Sequence, residues 1–278
     1  MDWLMRVAPP SSPQPLESLP YGLWSIYSGH HKGNTLCVWL HGWGQSHQSF
    51  TSLLQQCEDL GDHLLVDFPG FGHSGLPPSA WGTDEYAEHL HPLIQSIAPQ
   101  YQRIIFIGHS FGCRVSLRYV ARYPNTISAM IFIGGAGLKR HLSFPKRLRR
   151  SAIRNALTFG KRLDKFLPTQ CADWVRKRYG SADYLAAGPL RPILNKVVSE
   201  DLSTIADGLI TPTLLIYGEL DDQTPPEFGQ RYHQMMPNSH LHVLSGFDHY
   251  TLLTHAKHQV SRLIVDWVSD LPTSNNFQ

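Results

Sequence analysis

Short apolar runs alternate along the chain with longer amphipathic or polar stretches. TLCVWL (35–40), HLLVDF (63–68), RIIFIG (103–108), SAMIFIGG (128–135) and TPTLLIYG (211–218) are nearly continuous in apolar character. Runs of that length predict strands buried on both faces. LWSIYS (23–28) alternates, and HLHVLSG (240–246) brings the strand pattern back late in the chain. Helical patterns fall between these runs: over 47–57, from a cap at Thr83-Asp84 to about Ile97, over 112–123 where Pro124 stops it, from about Pro226 to Met236, and over about 250–269. Strand alternating with helix, with buried strands, predicts a mostly parallel twisted sheet flanked by helices, an α/β fold.

The rhythm breaks over 138–205, which is helical in pattern and too long for a simple crossover. It reads as an inserted helical cap, dividing the fold into a first core part (1–137), the cap (138–205) and a second core part (206–278). Ligand sites of α/β sheets lie at the carboxyl ends of the strands, so the cap is expected over that edge. Residues 1–20, rich in proline and serine, are expected to be a loose leader.

Composition adds little until its distribution is considered. The chain has 278 residues, 42% hydrophobic and 17% charged, which fits a folded globular protein. A net charge of +2 implies no partner by itself, yet 13 of the 24 Lys and Arg lie between Leu138 and Arg178 against two acids, Asp164 and Asp173. This basic segment is either a solvated helix face or a surface for an anionic substrate, an acidic carrier protein or an anionic membrane. No nucleic-acid partner is expected, because no reading motif accompanies the charge. Phe144, Leu148, Ile153, Leu157, Phe159, Leu163, Phe166 and Leu167 could pack over a pocket or insert at an interface; in a cap the first is expected, and it would favour acyl chains or aromatic groups. Neither a signal-peptide pattern nor an 18–20-residue apolar run occurs, so a cytoplasmic location is expected. Cys37, Cys57, Cys113 and Cys171 are scattered and form no Cys-x-x-Cys pair, as expected of reduced thiols. The histidines offer no metal-ligand spacing, and His30, His31, His89 and His91 are expected at the surface.

The candidate chemistry centres on GHSFG (108–112). Gly-x-Ser-x-Gly is a weak signal alone. Here it follows a buried strand and opens a helix, the setting of a nucleophile elbow. Glycines are needed on either side because a Cβ would strike the neighbouring strand or helix. Ser110 would be lifted clear at the helix N-terminus, where the dipole and the Phe111 N–H favour negative charge. A serine hydroxyl needs a base and a group to orient that base. In chain order these should be an acid and then a histidine, each just past a later strand. GELDDQTP (218–225) supplies Asp221 and Asp222, and GFDHY (246–250) supplies His249. A second N–H for an oxyanion should come from the loop after an early strand. HGWGQS (41–46) makes Trp43 that donor beside Phe111.

HGWG (41–44), DFPGFGHS (67–74), GHSFG (108–112), GELDDQTP (218–225) and DH (248–249), in this order, resemble the α/β-hydrolase superfamily over nearly the whole chain outside the cap. The family's acid lies three residues after the Gly and four before the Pro, which favours Asp221. The family usually has Gly-His at the base, where this chain has Asp248-His249. GHSFGCRVSLRYVARYP and RYGSADYLAAGPLRPILNKVVSEDLS (178–203) look like a subgroup of bacterial cytosolic α/β-hydrolases with a basic helical cap, in which Gly usually stands at the position of Cys113. The resemblance implies a serine carboxylesterase acting on a small-molecule ester or acyl substrate through an acyl-enzyme, with no metal or organic cofactor. Ser at position 110 speaks against the dehalogenases and epoxide hydrolases of the superfamily, whose nucleophile is Asp. Carbon–carbon bond hydrolases share the same triad, and a binding protein on the same fold is the third reading.

Overall fold

The computed structural model describes residues 24–28, 34–140 and 182–272, with scattered positions between 148 and 164. Seven strands form one sheet: β1 (Trp24–Ser28), β2 (Thr35–Leu40), β3 (Asp62–Asp67), β4 (Arg103–His109), β5 (Ala129–Ile133), β6 (Thr213–Gly218) and β7 (Ser239–Leu244). Their order is β1-β3-β2-β4-β5-β6-β7. β1 pairs antiparallel with β3, and the other neighbours are parallel. The helices are α1 (Thr51–Cys57), α2 (Thr83–Ile97), α3 (Phe111–Arg122), α4 (Ala182–Ala186), α5 (Arg191–Ser199), α6 (Ser203–Ala206), α7 (Pro226–Met235) and α8 (Lys257–Asp270). This is the mostly parallel, helix-flanked sheet that the hydrophobic pattern predicts.

The apolar strand runs are explained by burial on both faces. β2, β3, β5 and β6 are buried along their whole length. Alternate residues serve opposite layers. Cys37, Trp39, Ile105, Ile107, Ile131, Ile133, Leu214 and Ile216 join one core with Phe50 and Leu53 near α1 and Val260, Ile264 and Val268 of α8. On the other face, Phe106 meets Tyr119 of α3 (ring centroids 4.9 Å apart) and Phe132 meets Tyr232 of α7 (5.7 Å). The late run behaves differently. β7 is the sheet edge and leaves His240, His242 and Val243 exposed.

Two compact units are distinguished, Met1–Leu138 with Ser199–Gln278, and Lys139–Val198. Within the second, the Arg191 guanidinium lies over the Tyr184 ring at 5.1 Å. Of the apolar residues expected to cover a pocket, Leu148 and Phe159 are exposed. Phe144, Ile153, Leu157, Leu163, Phe166 and Leu167 lie outside the described residues, as do Cys171, His30 and His31. Among the described residues, no helix is long and apolar enough to cross a membrane.

Three local expectations are corrected. The cap of α2 is Gly82, not Thr83-Asp84. Glu85 reaches back to accept the Gly82 N–H at 2.7 Å, and the Thr83 N–H and hydroxyl are taken by the Glu200 carboxylate. The last helix starts at Lys257, because Asp248 holds the preceding segment in turns by accepting the N–H groups of Tyr250 (3.0 Å) and Thr251 (2.8 Å). His89 and His91 are half-buried, not surface groups, and the His91 ring stacks on Tyr123 at 3.5 Å.

The glycines of GHSFG are demanded by close packing. A Cβ on Gly108 would lie 2.8 Å from the Cys113 nitrogen, in the first turn of α3. A Cβ on Gly112 would overlap the carbonyl of Leu40 at the end of β2. Such an overlap with backbone cannot be relieved by a side-chain rotation. Gly112→Ala is therefore expected to lower the unfolding free energy by about 3 kcal/mol, read from urea denaturation. A change below about 0.5 kcal/mol would show that α3 can move away from β2.

Candidate active site

The strand order reverses between β2 and β4: the chain adds β3 on one side of β2, then crosses to β4 on the other. Loops leaving the carboxyl ends of strands at such a switch point border a crevice. The loop after β2 carries Trp43, and the turn after β4 carries Ser110. Asp221 follows β6 and His249 follows β7. Because β2, β4, β6 and β7 all run parallel, the topology brings all four residues to one edge of the sheet.

Ser110 sits in the turn between β4 and α3 with φ 47° and ψ −100°. Only one other described non-glycine residue, Asn125, has positive φ. A backbone held there costs on the order of 1–3 kcal/mol. The turn is held by hydrogen bonds from the Ser110 N–H to Ile133 O (3.1 Å) and from the Cys113 N–H to Ser110 O (3.2 Å). Ser110 is half-buried between the buried His109 and Phe111. Cys113, where Gly was expected from the resemblance, is accommodated: its thiol donates to Gly108 O at 3.1 Å. Burial pushes that thiol well above its ordinary range, so it stays protonated.

Asp221, not Asp222, meets the histidine. His249 Nδ1 donates to Asp221 Oδ2 at 2.7 Å, with both side chains almost fully buried. The other oxygen, Oδ1, accepts the N–H groups of Gln223 (2.8 Å) and Thr224 (2.7 Å). Burial alone would raise the Asp221 carboxyl, but its bonds to His249 and Thr224 outweigh that and hold it below the usual carboxylate value. Among the described residues no hydrogen bond joins Ser110 Oγ to His249. In unliganded sites of this kind such bonds are often long and tighten around substrate.

Two supporting residues escape the sequence reading. Thr224 Oγ1 lies 2.8 Å from Asp221 Oδ2 and 3.1 Å from His249 Nδ1. The Thr of DDQTP was the signal that could have found it. Gly134, with φ 55°, leaves room for the pair: a Cβ there would stand 3.0 Å from His249 Nδ1.

The N–H groups of Trp43 and Phe111 are spent on no hydrogen bond among the described residues. Their side chains belong to an aromatic cluster beside Ser110. Trp43 packs edge-on against Phe71 (4.9 Å) and Phe111 (5.8 Å), and Phe111 meets Phe68 (5.3 Å) and Tyr86 (5.1 Å). His41 joins the ends of β2 and β3, taking the Phe68 N–H at Nε2 (3.0 Å) and donating from Nδ1 to Gly42 O (2.7 Å). Spacing along the chain marks no metal-ligand set, yet the fold gathers His47, Asp67 and His73 with ligand atoms within 4.8 Å of one another. Both carboxylate oxygens are already engaged there. Oδ1 takes the His47 N–H (2.6 Å) and Nδ1 (2.9 Å), and Oδ2 takes the His73 N–H (3.0 Å) and Nδ1 (3.3 Å). The cluster thus ties the loop after β2 to the loop after β3.

The model of the alpha/beta hydrolase fold family matches residues 37–256, and the chain belongs to that family. It is similar to a protein named Lipase 1 from Psychrobacter immobilis, 26% identical over 242 residues, covering 81% of this chain and 74% of that one. It is likewise similar to a pimeloyl-(acyl-carrier protein) methyl ester esterase of Neisseria meningitidis serogroup A, 26% identical over 233 residues, covering 78% and 72%. Among solved structures, an esterase from Exiguobacterium antarcticum superposes with a TM-score of 0.67 at 18% identity, over 93% of this chain and 98% of that one.

Burial makes the site acid-sensitive. It lowers the pKa of His41 to about 4 and, with the adjacent His249, that of His109 to about 3. The unfolded chain takes up protons near the ordinary histidine value of about 6.5, where the folded chain refuses them. Stability is thus full above that pH and is lost as pH falls toward 4, by up to about 1.4 kcal/mol per pH unit for each histidine. Urea unfolding at pH 7.5, 6 and 5 is expected to show a steadily falling midpoint. An unchanged midpoint would mean that these rings protonate freely in the fold.

Proposed function

We propose that the chain is a serine hydrolase that cleaves a carboxylic ester through an acyl-enzyme. The observation that carries this reading is the buried 2.7 Å bond between His249 and Asp221, at the same sheet edge as a serine in a strained turn. The relatives named lipase and methyl ester esterase support ester cleavage as the class of reaction.

Ser110 is the nucleophile. His249 takes its proton as Oγ bonds to the ester carbonyl carbon, and Asp221 holds the imidazole in one tautomer and stabilises its charged form. The carbonyl oxygen becomes an oxyanion facing the N–H groups of Trp43 and Phe111. Collapse of this intermediate breaks the bond to the alkoxy oxygen, which leaves as the alcohol with the proton from His249. Water then attacks the acyl-enzyme, with His249 again as base, and the carboxylic acid departs. The aromatic cluster of Trp43, Phe71 and Phe111 suits an apolar acyl or alcohol part. The basic segment from Lys139 to Arg178 suits an anionic acid or an acidic carrier of it.

Hydrolysis of p-nitrophenyl esters from acetate to laurate tests the reading. Wild type is expected to turn over with a chain-length optimum, Ser110→Ala to fall to background, and Asp221→Asn to lose about 10⁴-fold in kcat. Retention of wild-type turnover by Ser110→Ala would overturn the serine mechanism. If the wild type cleaves none of these esters, simple esterase action is contradicted, and carbon–carbon bond hydrolysis or ligand binding without catalysis moves ahead.

A further inference from the structure

A buried junction connects the loop after β2, the serine turn and the histidine turn, and the reaction above makes no use of it. At its centre is His109, which is 1% exposed. Its Nε2 lies 3.1 Å from the main-chain oxygen of His249, and its ring centroid lies 4.7 Å from that of His249. Its Nδ1 lies 3.0 Å from Gln45 Oε1. The same oxygen accepts the Gly42 N–H at 2.9 Å. Gly42 is the residue before Trp43, whose N–H is the proposed oxyanion donor. A Cβ on Gly42 would lie 2.6 Å from His109 Nδ1 and 2.7 Å from Gln45 Oε1, so this position has to be glycine for the junction to form.

Gln45 Oε1 faces two groups at once: it accepts the Gly42 N–H and lies 3.0 Å from His109 Nδ1. The His249 carbonyl, at the other ring nitrogen, can only accept. Burial keeps the ring neutral at physiological pH, so its single hydrogen serves one of these two oxygens. The contacts form one continuous chain: Gly42 N–H to Gln45 Oε1, Gln45 Oε1 to His109 Nδ1, His109 Nε2 to the His249 oxygen.

We propose that Gln45 and His109 are positioning residues that lock the oxyanion loop to the main chain of the catalytic base, so that Trp43 N–H and His249 keep one fixed spacing about Ser110. This rests on the serine-hydrolase reading above. Neither side chain touches the reacting atoms. Their effect lies in the geometry that the transition state needs, whereas substrate binding in the ground state is indifferent to it.

The test uses Gln45→Met, which keeps the length and removes the hydrogen bonds, His109→Asn, and the double variant. The readouts are kcat, KM and the inhibition constant of an aryl trifluoromethyl ketone, whose serine adduct carries an oxyanion. Each single variant is expected to lose about 10²-fold in kcat with KM within about twofold, and to bind the ketone more weakly by the same factor. The double variant should lose little more than either single one, because one chain is broken once. Folded variants with wild-type kcat and ketone affinity would overturn the proposal, as would losses that multiply in the double variant. If Gln45→Met does not fold, Gln45→Asn, which shortens the same arm, gives the same readouts. Ser110→Ala in the same assay separates the two levels. If it remains active, the serine reading has failed. If it is inactive while the Gln45 and His109 variants match wild type, the bridge alone has failed.

Discussion

The constraint on which the rest depends is the backbone of Ser110. A serine at φ 47° is unfavourable, and here it is enforced from three sides. β5 takes its N–H, α3 starts immediately behind it, and β2 comes so close to α3 that only glycine fits at position 112. The sheet and its first long helix thus hold the turn, and the energy of the buried core outweighs a local cost of a few kcal/mol. The product is a half-exposed hydroxyl at the N-terminus of a helix, between buried neighbours. Relaxing the turn would require α3 to separate from β2 and β4.

The second element is the parallel sheet itself. Parallel strands send all their carboxyl ends the same way, so residues far apart in the chain meet without long excursions. His249 reaches Asp221 across 28 residues at 2.7 Å, in a setting where both side chains are nearly dry. Burial there would normally neutralise a carboxylate. Two backbone N–H groups, a hydroxyl and the imidazole compensate for the lost water and keep Asp221 ionised. The flanking histidines go the opposite way. His41 and His109 are buried with no carboxylate bonded to them, so they stay neutral and act as hydrogen-bond connectors between loops.

Much of this was legible in the sequence. Both-face burial was written in the continuous apolar runs of β2, β3 and β4. The serine turn was written in two glycines whose missing side chains make room for α3 and β2. The order Ser, Asp, His followed from strand ends. The weak points were those set by tertiary contact. Glu85 and Glu200, the latter 117 residues away from Thr83, decide how α2 starts, and no local rule ranks Gly82 above Thr83 as the cap. Asp248, read only as a departure from Gly-His, delays α8 by holding turns over Tyr250 and Thr251. The histidines misled for the same reason. Single-residue spacing says nothing about His47 and His73 converging on Asp67, or about His109 joining two loops, because each contact is made by the fold.

In the proposed mechanism the strain at Ser110 serves to present one nucleophile activated by His249. Labelling with an alkyl fluorophosphonate, followed by peptide mass mapping, tests this most directly, because the reagent reacts covalently with an activated serine. One phosphonyl group per chain is expected, on the peptide that contains Ser110, and it disappears in His249→Ala. Labelling that persists in His249→Ala, or that falls on another residue while Ser110 stays unmodified, would contradict it.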